Sequence, residues 1–249
     1  MVRNIFCFLL WFCLIGNSSY ATTWFVEKDG SGDFTVIQDA VDAAAVTGDT
    51  IMVGPGWFEE YREYSFSAGD YQIYVFKTHI LDLTLIGSGA NETFIGSSKD
   101  GTWGYNENCR GISASFTAGD GQFWIEGVTV AGVSRGIVGT KGSFEIVDCE
   151  IRDCFRGVYV LCPTRMVGCT FRDIGYTGII ANTDRVSLNN CNFVDCTVGF
   201  NFTTTPNVTV ASCSFLGIGD VGVLYFCSGE MFNCTTSGIW NTGVSITGS

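Results

Sequence analysis

The sequence predicts an all-β fold: a right-handed parallel β-helix, a solenoid of about 21–22 residues per coil with a short N-terminal capping helix. Three observations carry that expectation. From Phe123 onward, Val128, Cys149, Cys169, Cys191, Cys213 and Cys234 recur at intervals of 21, 20, 22, 22 and 21 residues. A second column follows five residues later: Val133, Cys154, Ile174, Cys196, Ile218 and Ile239. Eight or nine residues after the first column stands a glycine, from Gly136 to Gly243.

Within each repeat the apolar residues alternate, as in Val186, Leu188, Cys191 and Phe193. That is strand periodicity, broken by Gly, Asp or Asn before a helix could form. A single coil cannot bury its own apolar face, so coils must stack, and each column becomes a buried ladder. Phe171, Phe193 and Phe215 predict an aromatic ladder over three successive coils. The period exceeds that of left-handed hexapeptide helices, and the LxxLxL pattern of leucine-rich repeats is absent.

At the front, Arg3, the apolar run 5–15 and Ser19-Tyr20-Ala21 make a secretory signal peptide over 1–21. The apolar run is too short to span a membrane, so no membrane insertion is expected. Its removal takes the formal charge from −12 to −13. Such a chain repels nucleic acid and, without a cation, polyanionic sugars. Residues 22–249 are read as one domain: a cap over 24–60, an aromatic-rich insertion over 57–80, and coils from about 81 to the C-terminus.

Ten cysteines follow the leader. In an exported chain the first expectation is disulfides. The columns oppose it, because in-register neighbours point their Cβ atoms the same way and Cys packs well as a small buried hydrophobe. A cysteine ladder of free thiols is the reading. No CxxC pair or His–Cys cluster suggests zinc.

The segment WFVEKDGSGDFTVIQDAVDAA (24–44) reads as strand, Gly-rich turn and short helix, with Ile37, Ala40, Val41 and Ala44 on the apolar face and Gln38, Asp39 and Asp42 facing water. GDTIMVGPGWFEE (48–60) and LTLIGSGANETFIGSS (83–98) follow as strand and turn. This order resembles the start of pectinesterase-like proteins in the pectin-lyase-like β-helix superfamily. The resemblance implies a helix that covers the N-terminal mouth and its open strand edges. The ester-hydrolysis motifs of that family, of QDTL, DFIFG and LGRPW type, find no match here. Asn182-Thr183-Asp184 spells a polygalacturonase motif by letter, without its paired aspartates. The lone His79 reads as structural.

Pectate-lyase-like chemistry would need clustered acids and a base. Asp153, Asp173 and Asp195 form an acidic column, and Arg135 with Arg156 form a stack before the glycine. These five are the weak catalytic candidates. The same column continues as Gly132, Gly217 and Gly238, and a Gly/Asp mixture marks a turn neutralised by neighbouring arginines. No cofactor or metal is expected; Ca²⁺ on the acidic column is the alternative.

The aromatic run around residues 57–105 supplies the carbohydrate candidates Trp57, Tyr61, Tyr64, Trp103 and Tyr105, whose rings suit sugar faces. The competing reading is that they pack against the solenoid wall. Sequons stand at Asn91, Asn201, Asn207 and Asn233.

The function expected is non-catalytic: a secreted, carbohydrate-binding or surface-interaction solenoid with a polysaccharide partner. The alternatives are a polysaccharide lyase or hydrolase with an unfamiliar site, and a structural or adhesive segment of a larger surface protein. The final copy (232–249) lacks any closing helix or charged run. The expectation is a longer natural protein, or an end covered by a further domain or second copy.

Overall fold

The computed structural model describes residues 20–44, 48–60, 62–65, 71–78, 82–98, 109–114, 121–225 and 227–247. Its strands form three sheets of nine, eight and nine strands, parallel throughout except for Arg62–Ser65 at the edge of the third, and the coils visit the sheets in turn. One coil illustrates the plan: Ser143–Val147 in the first sheet, Glu150–Arg152 in the second and Arg156–Val160 in the third. Each strand then pairs in register with its equivalent one coil on, as Ile151 does with Phe171 and Phe171 with Phe193. The expected parallel β-helix is what the chain forms.

Two left-handed corners set the coil. Between the first and second sheets, Gly127, Asp148, Gly168, Asn190, Ser212 and Asn233 all have φ between 48° and 67°. Between the second and third, Gly132, Asp153, Asp173, Asp195, Gly217 and Gly238 have φ of 52–67°. Only Gly, Asn, Asp and a few small residues enter this region at low cost, which accounts for the composition of both columns. The residue after each corner turns inward, and these are the two columns that begin at Val128 and Val133.

The core is a set of stacked rows. Ile51, Leu85, Ile125, Ile146, Met166 and Leu188 line the first sheet. Phe171, Phe193 and Phe215 make the aromatic ladder, with ring centroids 4.7 and 4.8 Å apart and planes within 8°.

Eight of the ten described cysteines are buried and carry free thiols, and Cys227 and Cys234 are partly buried. Behind a left-handed corner a thiol can donate to nearby carbonyls. The Cys169 Sγ lies 3.3 Å from Ile146 O of the preceding coil and 3.5 Å from Val167 O. Cys191 repeats the pattern with Met166 O and Asn189 O. A small side chain with one weak donor fits this niche. Burial pushes the Cys149, Cys154 and Cys196 thiols up to about 12, far from the ionised form.

At the front, helix α1 (Ile37–Ala43) buries Ile37, Ala40 and Val41 against the strands Thr23–Val26, Thr50–Val53 and Tyr71–Thr78. Gln38 departs from the sequence reading: it is buried, and its Nε2 donates to Asp42 Oδ1 at 2.8 Å. An internal partner lets an amide sit on the packed face.

The coils also begin earlier than residue 81. Thr50–Val53, Gly56–Phe58 and Tyr71–Thr78 already pair in register with the next coil. Arg62–Ser65 folds back antiparallel on Tyr71–Thr78, so the aromatic-rich segment contributes a solenoid strand as well as an inserted hairpin. Aromatic residues suit strands as readily as loops, which is why composition alone did not separate the two.

Most of the expected leader, residues 1–19, and His79 lie outside the described residues. No described helix is long and apolar enough to cross a membrane. At the far end, Met231, Phe232, Trp240 and Val244 are exposed, Trp240 by 79%.

Candidate functional site

The corner between the second and third sheets gathers most of the predicted residues that can be placed. Asp153, Asp173 and Asp195 occupy its left-handed positions on three successive coils. Arg135 and Arg156 open the third-sheet strands Arg135–Gly139 and Arg156–Val160 and pair in register with one another. Arg110 stands in the same row one coil earlier. At a strand spacing of ~4.8 Å, like charges directly opposite repel, so such a row needs a compensating interaction.

Aromatic faces supply part of it. The Arg156 guanidinium lies 5.4 Å from the Phe155 ring and 5.5 Å from that of Tyr176, and Arg135 lies 5.5 Å from Tyr159. Phe155 and Tyr176 stack at 5.5 Å with 15° between their planes. Among the described residues no ion pair reaches Arg135 or Arg156. Their Nε atoms are buried without a hydrogen-bond partner, as is the hydroxyl of Thr177 next in the row.

The acids are disposed differently. Asp153 pairs with Arg152 at 3.3 Å, whereas Arg172 turns away from Asp173 to Glu150 at 3.2 Å. A Cβ placed on Gly217 would come within 2.4 Å of Asp195 Oδ1, so that carboxylate lies against the next coil's corner. Among the described residues no group of three or more His, Cys, Asp or Glu is arranged to hold a metal ion. The candidate arginines and aspartates therefore follow a ridge along the solenoid.

Trp57 lies around the corner on the second sheet. Its strand Gly56–Phe58 pairs with Thr93–Gly96, placing Trp57 against Phe94 at 4.6 Å and 12°, both half-exposed on the outer face. Arg152 reaches back two coils over Thr129 and Ala131, to 5.9 Å from Phe94. Two ring–guanidinium clusters, Trp57, Phe94 and Arg152 on the second sheet and Phe155, Arg156 and Tyr176 beyond it, thus flank the corner at Asp153 and make up a belt. Sequence reading missed Phe94, Phe155, Tyr159 and Tyr176. A repeated trace was present: Arg or Thr just before the glycine in Ser134-Arg135-Gly136, Phe155-Arg156-Gly157 and Tyr176-Thr177-Gly178. Tyr61, Trp103 and Tyr105 lie outside the described residues, and Tyr64 is placed only by its backbone, opposite Gln72.

The family described as the right-handed β-helix region matches residues 110–249. The chain belongs to it. No curated protein matches this β-helix chain. Among solved structures it is similar to the pectin methylesterase from carrot, at 14% identity over 91% of this chain and 88% of that one, with a TM-score of 0.43. The Aspergillus niger pectin methylesterase gives 14% identity over 93% and 87%, with a TM-score of 0.47. A rhamnogalacturonan lyase gives 12% over 88% and 63%, with a TM-score of 0.43. At these identities the likeness concerns the fold alone.

Proposed function

We propose that this β-helix protein is a secreted, non-catalytic carbohydrate-binding solenoid, and that its contact surface is the belt from Trp57 to Tyr176. The observation that carries the reading is the in-register pair Arg135 and Arg156, flanked by aromatic faces and lacking a carboxylate partner among the described residues. Guanidinium forks recognise carboxylates in a bidentate manner, and rings take the apolar face of a sugar. An acidic glycan meets both requirements. Its charge relieves the repulsion within the arginine row, on a protein whose overall charge is otherwise repulsive to it. The cysteine column is a cysteine ladder with a packing role only.

Titration with oligogalacturonate, alongside a reducing-end assay, tests this. Binding without new reducing ends, weakened at least tenfold in Arg156→Ala, is the expected result. Release of new ends would replace the reading with a lyase or hydrolase. Equal binding by wild type and Arg156→Ala would remove the belt from it.

A further inference from the structure

The first sheet carries a separate feature on its outer face: a groove of about 850 Å³ rimmed by Pro163 and Pro206. Its floor follows from register. Glu145, Arg165, Ser187, Thr209 and Glu230 line it in one outward row on five successive strands, and Trp124 continues that row on the strand before, just outside the groove. Ser143, Arg185 and Asn207 line it alongside. The row runs along the solenoid axis, so the groove fits a linear chain better than a compact molecule.

Its chemistry is unlike that of the belt. Two guanidiniums, Arg165 and Arg185, face two carboxylates, Glu145 and Glu230, and Arg165 contacts Glu145 directly. The charges cancel, so a polyanion gains nothing here over a neutral chain. The remaining polar lining is hydroxyl and amide, both donor and acceptor, which is what sugar hydroxyls require. The half-buried Trp124 ring heads the row, and its Nε1–H donates to Glu126 Oε2 at 2.9 Å, fixing the indole. A fixed aromatic face next in the row to Glu145, beside this hydroxyl-lined, electroneutral channel, is a stacking platform for a sugar ring of a chain that runs on past it.

We propose that this groove binds a neutral linear glycan, at a site independent of the arginine–aromatic belt. Asn207-Val208-Thr209 is a sequon inside the groove, so the test uses protein made in bacteria, free of N-glycans. Hexasaccharides of cellulose, mannan and galactan are titrated calorimetrically, with oligogalacturonate as the acidic probe. At least one neutral chain is expected to bind. Ser187→Trp, which fills the middle of the channel from an outward position, should weaken it at least tenfold with an unchanged melting temperature. Trp124→Ala should weaken it similarly, and Arg156→Ala should leave it unchanged. Neutral and acidic chains are expected to bind together. Binding of none of the three neutral chains overturns the proposal. So does binding that survives Ser187→Trp, binding lost in Arg156→Ala, or mutual displacement of neutral and acidic probes. Failure of oligogalacturonate alone would count against the belt and leave the groove standing.

Discussion

Gly178 lies directly beside the ring of Phe193: a Cβ added there would come within 3.0 Å of Phe193 Cε1 and 2.5 Å of Gly199 O. The same relation joins Gly157 to Phe171 and Gly199 to Phe215. Over these three coils the glycine column and the aromatic ladder are therefore one device, in which each missing side chain leaves room for a ring and for the backbone carbonyl of the next coil. Gly178→Ala should destabilise the fold by about 1–3 kcal/mol, the usual cost of overpacking. Chemical denaturation would show it as a lowered midpoint at constant slope. An unchanged midpoint would mean that both the ring and the Gly199 carbonyl can move aside.

Serine in place of a column cysteine tests the thiol niches. The Cys191 Sγ lies 3.5 Å from Asn189 O and 3.7 Å from Met166 O, distances suited to sulfur and long for a hydroxyl. Cys191→Ser should cost about 1–3 kcal/mol by burying an under-satisfied hydroxyl. Mass spectrometry after alkylation of the unfolded chain should find Cys149, Cys169, Cys191 and Cys213 unbridged; quantitative disulfides among them would refute the ladder.

Three buried thiols, those of Cys149, Cys154 and Cys196, impose a pH dependence. Their proton affinity is raised on folding, to about 12 at Cys149, Cys154 and Cys196, above the ordinary thiol value near 9. A group held more tightly protonated in the folded state contributes stability that is full below the unfolded value and is lost as pH rises toward the folded one. Stability should thus fall from about pH 9 upward. Cys149→Ala should flatten that fall, as read by thermal melts between neutral pH and pH 11.

Binding at the belt should depend on salt. Guanidinium–carboxylate contacts at this half-buried row weaken as ions screen them. Oligogalacturonate affinity should drop as salt is raised, with a smaller slope in Arg135→Ala than in wild type. Trp57→Ala should reduce affinity through lost stacking and leave the salt slope unchanged. A salt-independent affinity would exclude the arginine row as the contact.

The exposed apolar group Met231, Phe232, Trp240 and Val244 predicts self-association through that end. Light scattering over a concentration series should show dimers or larger species, reduced in Trp240→Ser. A monomer at all concentrations would count against it.

What the sequence made legible was whatever each coil repeats. Cys149, Cys169 and Cys191 align because every coil solves the same burial problem at the same corner. The Asp and Gly mixture at 132, 153 and 173 exposed the left-handed turn because so few residues tolerate it. Contacts made once are a different matter. Arg152 meets Phe94 across two intervening small residues, and Trp57 meets Phe94 on a strand pair that precedes the cysteine columns. Neither has a period to betray it. Gln38 likewise sits on the packed face of α1 with its amide bonded to Asp42, a contact that no other described coil repeats.

The first-to-second column separation is five residues in all six coils, while the coil as a whole varies from 20 to 22. Every change of length has been absorbed beyond the second corner, mostly in the loops that return the chain from the third sheet to the first. Those return loops are the place where segments could be grafted without disturbing a single stacked row. Three outward faces that share one core but not one row of residues can each acquire a new specificity while the other two stay as they are.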